Sequence, residues 1–273
     1  MASRKDLDRR QRRWADVAGV SYDARGYVRE LGENLRVPLG AAARAEIERG
    51  SELEQTSTRP ARLLSLTSSA ALVINFFDYW RGRDSAPLAS VLGLPAGSPQ
   101  LRFEEPLPTG LEGDPPSADV TLHWPSGHVA AIESKLGEWL VRRPRNKAVF
   151  KRKYFPLGGD VWSAAGLPRC QALAADIDSG RERFRWLHAA QLLKHALGLE
   201  RLGAPATTLV YLYYDWPSRE ATEHAAELTR FAARIEAEVD FRVLTYQALQ
   251  DALVAADTLD PQHRAYLTQR YFP

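Results

Sequence analysis

The stretch Pro116-Ser-Ala-Asp-Val-Thr-Leu-His-Trp-Pro-Ser-Gly-His-Val-Ala-Ala-Ile-Glu-Ser-Lys-Leu-Gly-Glu-Trp139 decides the fold. It reads as a β-hairpin, with Ala118–Trp124 as one strand and His128–Lys135 as the next. Pro125-Ser126-Gly127 forms the turn, because glycine accepts the positive φ needed there. Side chains alternate along a strand, so Glu133 and Lys135 share a face and Ser134 points away. A short hairpin can carry Asp119 across to the same face. Two carboxylates and an ammonium then meet at the end of the apolar run Val129-Ala130-Ala131-Ile132. Stability alone gives little reason to build such a cluster.

Around this hairpin the chain alternates between helical and extended patterns. Upstream, Lys5–Val17 reads as a polar, solvated helix, with a basic arm touching DNA as the alternative, and Ala41–Arg49 as a helix closed by Gly50. Ser51 and Glu54 have the spacing of a capping box. Thr67–Trp80 is apolar on nearly every face, which predicts a buried helix capped by Thr67 or Ser68. Asn75 inside it must find hydrogen-bond partners. Leu101–Leu107 is a candidate strand. Downstream, Phe184–Leu199 has helical spacing and puts Gln191 and His195 on one face. Thr207–Tyr214 reads as a buried strand, Arg219–Ala237 as an amphipathic helix and Phe241–Thr245 as the last strand. Tyr246–Ala255 and Gln262–Tyr271 close the chain as helices. The order predicts an α/β (α+β) fold: a mixed central sheet flanked by helices, with extra N- and C-terminal helices. Residues 1–49 are expected as a helical arm packed on a core formed by 50–273.

The 273 residues suffice for one large domain, and a formal charge of only +2 means that any nucleic-acid contact must come from a local cluster. One such cluster is Arg142, Arg143, Arg145, Lys147, Lys151, Arg152 and Lys153, followed by Tyr154 and Phe155. Basic residues beside aromatics suit a nucleic-acid strand, and a solvated loop is the alternative. A single cysteine, Cys170, excludes an internal disulfide and a multi-cysteine zinc site. Met1–Trp14 is charged throughout, unlike a secretion signal. No apolar run approaches the roughly 20 residues of a membrane span. The expected location is cytoplasmic, with no membrane partner.

Two carboxylates with a backbone carbonyl and waters suit Mg²⁺, with Mn²⁺ as a substitute. A lysine beside that ion can hold or deprotonate an attacking water. The alternative is structural: Asp119 caps a turn near Ser117, and Glu133 and Lys135 form a cross-strand surface arrangement.

Ser117-Ala118-Asp119 followed by Ile132-Glu133-Ser134-Lys135 resembles the PD-(D/E)xK nuclease superfamily, the restriction-endonuclease-like fold. The proline usually beside the aspartate is displaced to Pro115 and Pro116. The order of elements is similar to the superfamily's αβββαβ core. A closer resemblance is to a bacterial restriction-endonuclease-like group. It rests on Gly50-Ser51-Glu52-Leu53, the Thr67–Trp80 segment, Ile132–Lys135 and Ala190-Gln191-Leu192-Leu193-Lys194-His195, and it spans about Gly50 to Tyr214. By this resemblance Glu52 is an additional acidic ligand and Gln191 a polar site residue. Taken as residues, Glu52 equally suits helix capping, and Gln191 with His195 a satisfied polar stripe. The resemblance implies that 50–273 is a nuclease-like domain with a C-terminal helical extension. Asp119, Glu133, the Ser134 carbonyl and Glu52 would hold the metal, and Lys135 would position water. The implied activity is Mg²⁺-dependent phosphodiester cleavage of nucleic acid, with DNA as the substrate and a homodimer where both strands are cut. The rival reading is a catalytically silent module that binds nucleic acid or protein.

Overall fold

The computed structural model describes residues 4–50, 53, 60–142, 150–157 and 159–272. Before the sheet come α1 (Arg4–Ala18), α2 (Leu31–Asn34), α3 (Ala41–Arg49), α4 (Ser69–Phe77) and α5 (Ala86–Val91). Strands β1 (Gln100–Pro106), β2 (Ser117–His123) and β3 (Val129–Lys135) follow as an antiparallel meander. Helices α6 (Pro168–Asp178) and α7 (Ala189–Arg201) lead to β4 (Thr207–Tyr213), which pairs parallel with β3. Helix α8 (Arg219–Ile235) leads to β5 (Phe241–Thr245), parallel to β4, and α9 (Tyr246–Ala255) and α10 (Pro261–Arg270) end the chain. The five strands lie in sequence order in one mixed sheet. The expected α+β class and the order of elements are borne out.

The alternation of apolar residues sorts the helices onto two faces. Val120, Leu122, Ala130, Ile132, Val210 and Leu212 pack with α4, α5 and α9 on one side. Val129, Ala131, Leu209 and Tyr211 pack with α6, α7 and α8 on the other. Because β3 and β4 are covered on both faces, they read as nearly unbroken apolar runs. Helix α4 is buried over almost its whole circumference, as its composition requires, and Ser68 caps it by accepting the Ala71 N–H at 3.1 Å. At the hairpin tip Gly127 takes a φ of 87°, which the turn demands.

Helix α7 begins five residues later than its apolar spacing predicts. The Glu227 carboxylate of α8 accepts the N–H groups of Arg185, Trp186 and Leu187 at 2.7 to 2.9 Å, which holds that segment out of helix. Helix α1 also differs from a solvated helix: Leu7, Gln11 and Ala15 are buried along one stripe. Cys170 is buried, and burial pushes its thiol well above the usual range, so it is chemically quiet.

Buried polar groups join the two ends of the chain. The Arg270 guanidinium is 1% exposed. Its Nη1 donates to the Asn34 carbonyl at 2.7 Å and to Tyr266 Oη at 2.8 Å, its Nη2 to Asn34 Oδ1 at 2.5 Å and its Nε to Gln11 Oε1 at 3.2 Å. It also lies 4.0 Å from the Trp14 ring centroid. Asn34 Nδ2 in turn donates to the Leu63 and Ser65 carbonyls at 2.7 and 2.9 Å. Asn75, the buried amide of α4, accepts the Arg36 N–H at 2.7 Å and donates to the Asn34 carbonyl at 3.0 Å and Tyr271 Oη at 3.1 Å. Arg270→Ala would leave Gln11 and Asn34 with orphaned acceptors, at a cost of about 3 kcal/mol or more. Urea unfolding should show that loss, with earlier proteolysis within α1. A cost below about 0.5 kcal/mol, the level of an ordinary surface substitution, would remove Arg270 from this role.

Candidate active site

The site opens where the sheet forks. Backbone pairing between β2 and β3 runs from His123↔Val129 to Val120↔Ile132. One step further, the Ser134 N–H donates to the Asp119 side chain, Oδ2, at 2.6 Å. Val120 and Leu122 belong to the α4 side, whereas Ala118, two residues before Val120, belongs to the α7 side. The strand therefore changes face at Asp119. Strand β1 does the same: Leu101 and Phe103 face α4 and Leu107 faces α7. Between them Glu104 takes a φ of 47°, which is rare for a residue with a Cβ. The shared kink turns Asp119 and Glu104 toward the end of the sheet.

Beside the fork, β3 delivers the rest of the cluster. Glu133 is 1% exposed and ion-paired to Lys135, its neighbour on the same face. His195 Nδ1 of α7 lies 3.4 Å from Glu133 Oε2. Ser134 points to the opposite face as expected: its Oγ shares a 2.7 Å hydrogen bond with Tyr246 Oη. Its carbonyl accepts from Ser69 Oγ at 3.2 Å, which fastens the first turn of α4 to β3. Gly198 lets α7 come this close. A Cβ there would sit 2.5 Å from Leu107 Cβ and 2.9 Å from the Leu107 carbonyl oxygen.

A cleft of about 600 Å³ leads to this point. Asp119 and Lys135 reach it from the sheet, with Glu104, Ser117 and Glu138. Ser68, Ser69 and Ala70 enter from the first turn of α4, and Gln191 from the first turn of α7. Among the described residues, the remaining wall is Arg4, Tyr27, Arg62, Ser65 and Thr67. Among the described residues of this lining, Ala70 is the one aliphatic side chain. Two helix N-termini and three cationic side chains favour a negatively charged ligand, while the carboxylates need a cation between themselves and that ligand.

The electrostatics follow from burial. Burial, then the adjacent Glu133 charge, push the Asp119 carboxyl up to about 7. Burial alone would lower the Lys135 ammonium, but Glu133, Asp119 and Glu138 more than offset it, so its pKa rises. Burial lowers His195 to about 4, so it stands neutral beside Glu133 at neutral pH. The donor chemistry fits a hard divalent cation: Asp119 and Glu133 offer carboxylate oxygens and Ser134 a carbonyl, and a cation would offset both the burial and the Glu133 charge that raise Asp119. Among the described residues no three His, Cys, Asp or Glu side chains are grouped to hold a metal. The further acid expected from the sequence, Glu52, lies outside the described residues.

The structure thus brings Asp119, Lys135 and Gln191 to one cleft, with Glu133 and Ser134 behind them. Of the basic run, only Arg142, Lys151, Arg152 and Lys153 are described. Arg143, Arg145 and Lys147 lie outside the described residues. Arg142, Lys151 and Arg152 are exposed, and neither they nor Lys153 line the cleft. Lys153 Nζ donates to the carbonyls of Glu112 and Asp114 at 2.5 and 3.3 Å. Tyr154 is buried and stacks on Trp162 at 5.6 Å, and Phe155 packs against Phe150 at 5.5 Å. These two rings serve the core under α7, not a stacking platform. Sequence reading missed Arg4, Arg62 and Glu104. Glu138, whose Oε2 accepts the Leu136 and Gly137 N–H groups at 2.9 and 3.0 Å, had no assigned role.

A mixed sheet that forks at a carboxylate between two helix N-termini is consistent with a restriction-endonuclease-like core. The chain belongs to the family described as restriction endonuclease associating with ARP, whose profile matches residues 3–272. No curated protein and no solved structure matches it.

Because the folded-state pKa of Asp119 lies above its unfolded value, the folded state holds the extra proton between about pH 4 and 7, and stability falls as pH rises through that window. Asp119→Asn removes the penalty and keeps an acceptor for the Ser134 N–H. In chelator, the variant should gain on the order of 1–3 kcal/mol over wild type near pH 8 and much less near pH 5. Thermal melts at both pH values check this. An equal difference at the two would contradict it.

Proposed function

We propose that this chain is a PD-(D/E)xK-type nuclease that hydrolyses phosphodiester bonds in nucleic acid, with DNA as its substrate and Mg²⁺ as its cofactor. The observation that carries this reading is the convergence of Asp119, Lys135 and Gln191 on one polar cleft, directly over buried Glu133. Asp119, Glu133 and the Ser134 carbonyl would hold the ion, with Glu52 as a further acid on the segment before α4. When bound, the ion would supply Lewis acidity toward a phosphoryl oxygen and lower the pKa of a coordinated water.

The protein's own groups divide the remaining work. Lys135, kept protonated by three carboxylates, donates hydrogen bonds to the attacking water or to a phosphate oxygen. That favours a positioning and charge-stabilising role over a general base. Gln191 presents an amide to the same cleft from the first turn of α7. His195 stays neutral and faces Glu133 Oε2 from behind. The polar lining suits a phosphate ester over an apolar ligand. A silent binding module would have no use for the buried Glu133–Lys135 pair, whose desolvation must be compensated.

Nicking of supercoiled plasmid tests the proposal. Wild type should convert it to open circles with Mg²⁺ or Mn²⁺ and stop in chelator. Glu133→Gln and Lys135→Ala should each lower the rate by about 100-fold or more while keeping the wild-type circular dichroism spectrum. Absence of metal-dependent cleavage of double-stranded DNA, single-stranded DNA and RNA would overturn it.

A further inference from the structure

Among the described residues, the cations that line the candidate centre beside Lys135 do not come from the segment after the hairpin. They are a pair of arginines far apart in sequence, Arg4 and Arg62, both lining the cleft that holds Asp119 and Lys135. Each sits on a braced support. Arg4 begins α1, which is fixed to the core through Leu7 and through the hydrogen bond from Arg270 Nε to Gln11 Oε1. Arg62 opens a short turn whose end is clamped from two directions. The Asn34 amide binds the Leu63 and Ser65 carbonyls. The Gly26–Val28 segment pairs with the chain at 64–66 through Val28 N–H to Leu64 O at 3.0 Å and Leu66 N–H to Gly26 O at 2.9 Å. The bridge between Tyr27 and Ser65 belongs to the same pairing and sets both side chains into the cleft wall.

From that wall the chain runs through Thr67 into Ser68 and Ser69 at the start of α4, and Ser69 is hydrogen-bonded to the Ser134 carbonyl beside Asp119. The arginines, the hydroxyl groups and the acidic centre therefore form one continuous surface. We infer that Arg4 and Arg62 bind backbone phosphates of the nucleic-acid strand next to the one being cleaved, one each, and so set the path of that strand through the cleft. The chemistry is apt, since a guanidinium offers planar paired donors to phosphate oxygens and keeps its charge at any working pH. Serine, threonine and tyrosine hydroxyls beside the arginines are common partners of the same backbone. This inference rests on the nuclease reading above.

Salt-dependent binding of a fluorescent DNA duplex in chelator, where no cleavage occurs, tests it. Each phosphate contact contributes about 0.9 to the slope of log K against log salt. Arg4→Ala and Arg62→Ala should each weaken binding about 3- to 10-fold and reduce that slope by about one. Arg62→Lys should recover most of the slope, which separates lost charge from lost folding. Arg201→Ala, at the far end of α7, removes one charge away from the cleft and should leave the slope unchanged. If wild type binds and both arginine variants keep its slope, this inference falls and the nuclease reading stands. If wild type binds neither duplex nor single strand at low salt, both fall.

Discussion

The structure turns on a problem of charge at the fork of the sheet. Asp119, Glu133 and Lys135 stand together where water is largely excluded, and burying ions is expensive unless they are paired. The Ser134 N–H, released from strand pairing by the kink, spends itself on Asp119. Lys135 neutralises Glu133, and His195 faces the other oxygen of that carboxylate as a neutral ring. What stays uncompensated is Asp119, whose pKa is raised first by its burial and then by the Glu133 charge. A cluster left one positive charge short is a good receptor for a cation, which is the chemical content of the proposed function.

The walls of the cleft depend on a second buried charge, of opposite sign. The burial of the Arg270 guanidinium is offset by four hydrogen bonds to neutral acceptors and by the Trp14 ring. Those acceptors belong to α1, α10 and the segment ending in Asn34, and Asn34 passes the constraint to the chain that carries Arg62. The last helix thereby fixes the first, and both fix one side of the cleft. The fork supplies the reacting groups, and the Arg270 network supplies the surface across from them.

Much of the fold was legible because its signals are local. The hairpin turn, the alternation of Glu133 and Lys135, the apolar α4 and the doubly buried β4 each follow from a few neighbouring residues. The start of α7 was not legible, because the carboxylate that unwinds Arg185–Leu187 comes from Glu227, about 40 residues later. That Asp119 and Lys135 meet at one cleft was legible from the hairpin and its short motif, and Gln191 was pointed to by the family resemblance. Arg4 and Arg62 were missed because nothing near them in sequence refers to Asp119; a network of buried amides and Arg270 brings them there. For the described part of the basic run the difficulty is the reverse. Its charge density is visible in sequence, but the carbonyls that hold Lys153 and the core that takes Tyr154 are not. Among the described residues no helix is long and apolar enough to cross a membrane.

Calorimetric titration of Mn²⁺ into the purified protein near pH 8, where Asp119 is ionised, tests the central claim most directly. The account predicts specific ion binding in wild type, a heat that shrinks as pH falls below about 7, and its loss in Asp119→Asn and Glu133→Gln. Binding of equal strength in wild type and both variants, or no binding in wild type, would contradict it.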